Sequence, residues 1–146
     1  MTGKYGILSI FLAVLFFACS FQPALAQDKV TDDKIRSMAT EEVTSILKAI
    51  ESKNYEQFSR DFSDQMKKAE TSEKFLQLAE RFDKVLGKLA SVNFIGFYVQ
   101  GANTVTLFKA RFANTTDDVL IRLVLNVNLD KQRVTGLWFD SPALGK

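Results

Sequence analysis

The residues able to do chemistry in this chain are few, and almost all of them are carboxylates. The sequence contains no histidine, which removes imidazole-based triads and every histidine-ligated metal site. Its one cysteine, Cys19, sits in an apolar N-terminal stretch. No dinucleotide fingerprint, phosphate-binding loop or calcium-loop spacing occurs. Carboxylates can still serve as general acids or bases where a fold perturbs them. Asp61 and Asp64 lie one helical turn apart with Glu56 close by, but Arg60, Lys67 and Lys68 share that surface. Pairing of opposite charges at i, i+4 on a solvated helix face accounts for the mixture. Asp140 follows Trp138-Phe139 at the end of a predicted strand, where it either faces a pocket or terminates the strand. Arg122 interrupts an apolar run and is expected on a wetter sheet face. The sequence therefore predicts no catalytic residue, no metal site and no cofactor.

Aromatic side chains are the other chemical resource. Most must fill the core. Tyr55, Tyr98 and Trp138 combine an apolar body with a polar tip, and together with Phe62 they are the candidates for lining a pocket that takes a small hydrophobic ligand. On the most regular strand, Leu120 and Val124 flank Arg122. Val105 and Leu107 fall on the corresponding side of the neighbouring strand. That mixed apolar surface is larger than a solvated sheet requires, so Leu120, Arg122 and Val124 are candidates for an association surface.

These residues are positioned by helices in the first half and strands in the second. Val119, Ile121, Leu123, Leu125, Val127 and Leu129 alternate with mostly polar residues, predicting a strand over 119–129. Thr31, followed by Asp32 and Asp33, caps a helix whose apolar stripe is Ile35, Met38, Ala39, Val43, Ile46, Leu47 and Ile50, with Glu41, Glu42, Lys48 and Glu51 expected outside. Asn54 caps a second helix carrying Tyr55, Phe58, Phe62 and Met66, with Gln57 in capping-box position. A third runs from about Glu73 with Phe75, Leu78, Phe82, Leu86 and Leu89, and Gly87 marks its end. Strands are predicted over 92–100, 104–113 and 134–140, the first two joined by the short connection Gly101-Ala102-Asn103. The expected fold is α+β: three N-terminal helices packed on a bent four-stranded antiparallel meander.

The first segment stands apart. Lys4 is its only charge, Ile7 to Ala18 is apolar apart from Ser9, and Ala24-Leu25-Ala26 forms a small-residue cleavage site. This is the pattern of a signal peptide covering residues 1–26, which predicts export to the periplasm or the extracellular space and a single domain over 27–146. Lipidation at Cys19 is the weaker alternative, because Phe17 is bulky where such a box needs a small residue. The apolar run is too short for a membrane span. Without Cys19 the exported chain has no thiol and no disulfide, and must rely on its core. The whole sequence has a net charge of +2 with neither half strongly basic, which gives no support to nucleic-acid binding.

Lys53-Asn54-Tyr55-Glu56-Gln57-Phe58, Asp61-Phe62-Ser63-Asp64-Gln65-Met66-Lys67, Leu86-Gly87 and Val134-Thr135-Gly136-Leu137-Trp138-Phe139 together resemble small exported bacterial domains in the nuclear-transport-factor-like superfamily. The resemblance implies a cone: helices wrapped against a strongly bent sheet, often hollow at the open end and often dimeric through the sheet's outer face. Members of the superfamily include isomerases, dehydratases and non-catalytic binding modules. The catalytic ones carry His, Asp or Tyr inside the cone. This chain has no His, and no Asp at the apolar positions of its strands. The resemblance thus favours a binding or interaction module, as a homodimer or with an envelope protein partner, over an enzyme acting on a small hydrophobic metabolite.

Overall fold

The computed structural model describes residues 30–145, so the predicted signal peptide and Cys19 lie outside the described residues. Among the described residues four α-helices precede a four-stranded antiparallel sheet in an α+β arrangement. The helices are α1 (Asp32–Glu51), α2 (Tyr55–Ser59), α3 (Asp64–Ala69) and α4 (Ser72–Arg81). A π-helical turn over Phe82–Leu86 continues α4. The strands are β1 (Leu89–Gln100), β2 (Asn103–Phe112), β3 (Val119–Leu125) and β4 (Val134–Asp140), and each pairs with the next in chain order.

The helix starts follow from side-chain caps. Thr31 Oγ1 accepts from the Lys34 amide (3.4 Å), Asn54 Oδ1 from Gln57 (3.0 Å) and Thr71 Oγ1 from Lys74 (3.4 Å), each satisfying an amide with no partner inside the helix. The predicted second helix is in fact two. At Arg60–Ser63 the backbone leaves the helix and bridges to the start of β4: the Val134 amide donates to Asp61 O and the Ser63 amide to Val134 O, both at 2.8 Å. Ser63 then caps α3 through Met66 N. Two tertiary hydrogen bonds to β4 outweigh the local helical preference of the connection.

The core lies between the helices and one face of the sheet. Phe58 stacks near Phe75 (4.6 Å between ring centroids) and meets Phe62 edge-on (4.8 Å). Phe82 packs on Phe112 and Phe139, and Phe94 on Phe108. Thr106, Phe108, Ala110, Ile121, Leu123 and Leu125 are fully buried beneath them. The buried Thr106 hydroxyl donates to Leu123 O (2.9 Å), so no polar group is stranded there.

β1 begins at Leu89, which the sequence pattern placed on the third helix, and a strand end and a burial also differ from that pattern. β3 ends at Leu125 rather than Leu129, because Asn126 starts a turn: its amide donates to Arg133 O (2.8 Å), its side chain accepts from Asn128 N (3.2 Å) and its carbonyl from Leu129 N (3.2 Å). Leu129 is consequently exposed. Glu42, expected on the outside of α1, is buried. It lies in the row Ile35, Ala39, Glu42, Ile46, Ala49, all spaced by three or four residues and all buried against the rest of the protein.

Gly87 closes the π-turn at φ 72°, ψ −153°, a backbone region open essentially to glycine. A Cβ built there would sit 2.7 Å from the side chain of Asn114, a residue whose backbone N–H donates to Leu86 O. Gly87→Ala is expected to destabilise the fold by about 2 kcal/mol, read as a lower urea midpoint with unchanged slope.

Candidate functional site

The outer face of the sheet, away from the helices, brings together side chains that one strand alone would not. Antiparallel pairing sets directly opposed residues on the same face. Tyr98, Val105, Val124 and Gly136 therefore form one row across the four strands, and Gly96, Leu107, Arg122 and Trp138 the next. Asn93, Lys109, Leu120 and Asp140 make the third. The register shift between Phe94 and Gly96 leaves Ile95 as an extra residue beside the second row.

Trp138 is held in a defined place. Gly136, two residues earlier on the same face, has no side chain, and the indole occupies that space: a Cβ at Gly136 would meet ring carbons of Trp138 at 2.4 Å. From the neighbouring strand, the Arg122 guanidinium lies 4.1 Å from a ring centroid of the same indole, a cation–π contact. Around this pair the apolar side chains remain about half exposed: Ile95 at 55%, Trp138 at 49%, Leu120 at 48% and Tyr98 at 47%. A groove of about 500 Å³ runs among Ile95, Leu107, Leu120, Arg122, Trp138 and Asp140.

Charge on this face is mixed. Asp118 binds Arg111 (2.9 Å) and Lys109 (3.5 Å), and the hydrogen bond from Arg111 holds its carboxyl below the usual range. Arg122 and Asp140, one row apart, are in no ion pair among the described residues. The predicted association residues Leu120, Arg122 and Val124 thus all lie on this outer face, Leu120 and Arg122 exposed and Val124 half-buried.

The four predicted pocket residues do not share a cavity. Tyr98 and Trp138 belong to the outer face. Tyr55 and Phe62 are in the helical layer, where the Tyr55 hydroxyl donates to Glu70 O (2.8 Å) and the ring lies 5.7 Å from Phe75. Phe62 is wholly buried against Phe58. The position expected of Phe62 and Tyr55 as cavity lining is occupied by ring-to-ring packing.

No family model, curated protein or solved structure matches the chain. Its chemistry must therefore be read from its own side chains.

The carboxylates fall into two environments. Asp64, at the start of α3, accepts from Gln132 Nε2 (3.1 Å) in an exposed setting, and Asp140 is exposed at the strand end. Asp61 is different from its sequence expectation. It does not lie on a solvated helix face but is only 8% exposed, in the connection between α2 and α3. Arg60 grips it from outside through Nε (2.7 Å) and a terminal nitrogen (2.6 Å). Glu42 of α1, 6% exposed, shares this region with Asp61, Arg60 and Arg133. Burial, reinforced by the nearby Asp61 charge, pushes the Glu42 carboxyl up to about 7. A carboxyl poised there suits acid–base work in principle, but neither Glu42 nor Asp61 lines any of five grooves on the described residues. Among the described residues no group of three His, Cys, Asp or Glu side chains could hold a metal ion, and no helix is long and apolar enough to cross a membrane.

Proposed function

We propose that the protein is an exported, non-catalytic interaction module that forms a homodimer through the outer face of its sheet. One observation carries the reading: four large apolar side chains, each about half exposed, cluster on that face around a tryptophan fixed by Gly136 and Arg122. Fixed aromatic anchors bordered by arginine are the residues that dominate association energies, because little side-chain freedom remains to be lost on binding.

A second copy is the occupant that the charges favour. A two-fold axis requires a surface to complement itself. Arg122 and Asp140 lie one row apart with opposite signs and are in no ion pair among the described residues, so rotation about an axis between them opposes each to its counterpart. The register shifts in β1 and at Val124/Leu125 supply local bends, which support the cone expected of a nuclear-transport-factor-like chain. The N-terminal pattern over 1–26 supports export.

Sedimentation equilibrium on residues 27–146 tests the reading. The wild type is expected at twice the monomer mass at micromolar concentration. Leu120→Asp should shift it to the monomer while keeping a cooperative melt, because the position is exposed. Arg122→Asp should weaken association at least tenfold, and adding Asp140→Arg should restore much of it by exchanging the charges. A wild type that stays monomeric at ~100 μM would overturn the homodimer. A monomer retained on native envelope extracts only through an intact Leu120 would favour an envelope partner instead.

A further inference from the structure

We propose that a cavity where α1, the π-turn and the end of β2 meet is a binding site for a small apolar amino acid. The cavity holds about 270 Å³. Its floor is Leu47, Ile50, Ala79, Phe82 and Phe112, all withdrawn from water, and its rim carries Glu51, Asp83 and Lys88. Sites for drug-sized ligands run to about 300–1,000 Å³, so the occupant of this one is smaller. An apolar floor under a few charged groups is the usual construction of such a site: the floor supplies affinity and the rim fixes orientation.

The backbone is irregular on two sides of this cavity. Gly87 N donates to Phe82 O (2.9 Å), the five-residue bond of a π-turn, and Gly87 at φ 72° forms part of the wall without a side chain. On the other side α1 ends at Glu51, and Lys53 follows at φ 53°, a left-handed conformation uncommon for a residue with a side chain. π-turns and left-handed residues concentrate at functional sites. Two helical segments also end at this rim, which places the negative ends of two helix dipoles beside it and favours a cation there.

The rim charges match a zwitterion. Glu51 Oε1 accepts from Leu89 N (2.7 Å), which fixes the carboxylate, and Glu51 is in no ion pair among the described residues. An ionised carboxylate has acceptor capacity beyond one hydrogen bond, so it can also take an ammonium. Asp83 is held only by Lys53 Nζ at 3.8 Å, a long contact between exposed groups that a bound ammonium can replace. Lys88 is in no ion pair among the described residues and supplies the cation for a carboxylate. An ammonium at Glu51 and Asp83, a carboxylate at Lys88 and a side chain on the floor make up a free amino acid such as leucine or phenylalanine. An apolar amine alone leaves Lys88 unanswered. An apolar acid alone adds negative charge beside two carboxylates and two helix ends.

Nitrogen-15 NMR titration of residues 27–146 with L-phenylalanine, phenethylamine and phenylacetate tests the site. Phenylalanine should move the amide signals of Gly87 and Phe112 and saturate with a Kd on the order of 100 μM. Phenylacetate should bind at least tenfold more weakly. Glu51→Gln keeps an acceptor for Leu89 N and should weaken phenylalanine and phenethylamine alike, by about fivefold. Lys88→Gln should weaken phenylalanine by a similar factor and leave phenethylamine unchanged. Both positions are exposed, so both variants should keep the wild-type melt. Gly87 and Phe112 signals that stay still at about 10 mM phenylalanine would overturn the proposal, as would movement confined to the face around Trp138 or unaltered phenylalanine binding in both variants.

Discussion

Leu123→Asp will leave the chain without a cooperative thermal transition. Leu123 is at the centre of β3, fully buried, paired with Thr106 on β2 and Leu137 on β4, and its carbonyl receives the Thr106 hydroxyl. Removing the leucine side chain from such a site costs about 2–5 kcal/mol. Placing a carboxyl among Phe108, Ile121 and Leu125 adds several more, whether it ionises in an apolar setting or takes a proton to avoid doing so. The sum reaches the whole stability of a domain of this size, about 5–15 kcal/mol. Near-ultraviolet circular dichroism and a thermal scan should show no fixed aromatic environment and no sigmoidal melt. Arg122→Ser, one residue away on the outer face, should keep both. A cooperative melt of Leu123→Asp near the wild-type midpoint would mean that β3 faces the other way.

That contrast was legible from the alternation of Val119, Ile121, Leu123 and Leu125 against Leu120, Arg122 and Val124. The same alternation hid the end of the strand. Val127 and Leu129 continue the apolar period, but Asn126 closes an Asx turn and takes the chain out of the sheet. The break between α2 and α3 was hidden for a different reason. Tyr55, Phe58, Phe62 and Met66 keep helical spacing across it, and what interrupts the helix is a bridge to Val134, far along the chain. Tertiary partners leave no mark on local periodicity. The Trp138 anchor did leave one: a glycine two residues before a tryptophan on a strand offers bare backbone on the same face, where an indole can lie. Charge type rather than spacing misassigned Glu42. Its distance from Ala39 and Ile46 placed it squarely on the buried row of α1.

The burial of that one carboxyl makes the stability of the whole fold depend on pH, and Glu42→Gln should abolish the dependence. In the unfolded chain Glu42 titrates near its ordinary value of 4.5, and in the folded chain near 7. Below 4.5 both states hold the proton and the group imposes no penalty. Between 4.5 and 7 the unfolded chain loses the proton while the folded chain keeps it, so stability falls as pH rises. Above 7 both states are ionised and the loss is complete, about 3 kcal/mol for a shift of this size. Asp118 acts in a separate window with the opposite sign. Its carboxyl is lowered by Arg111, so its contribution is present above its ordinary value of 3.8 and is lost only in stronger acid. Urea unfolding of the wild type should therefore give a midpoint that declines from pH 5 to pH 7.5 and then levels. In Glu42→Gln the midpoint should stay nearly flat over that range, and its unfolding free energy should exceed that of the wild type by about 3 kcal/mol at pH 8. Because glutamine keeps the size and shape of the acid, the gain would report the ionised carboxylate itself, not a change in packing. Parallel curves for the two proteins would show instead that Glu42 reaches solvent freely and that its burial imposes no penalty.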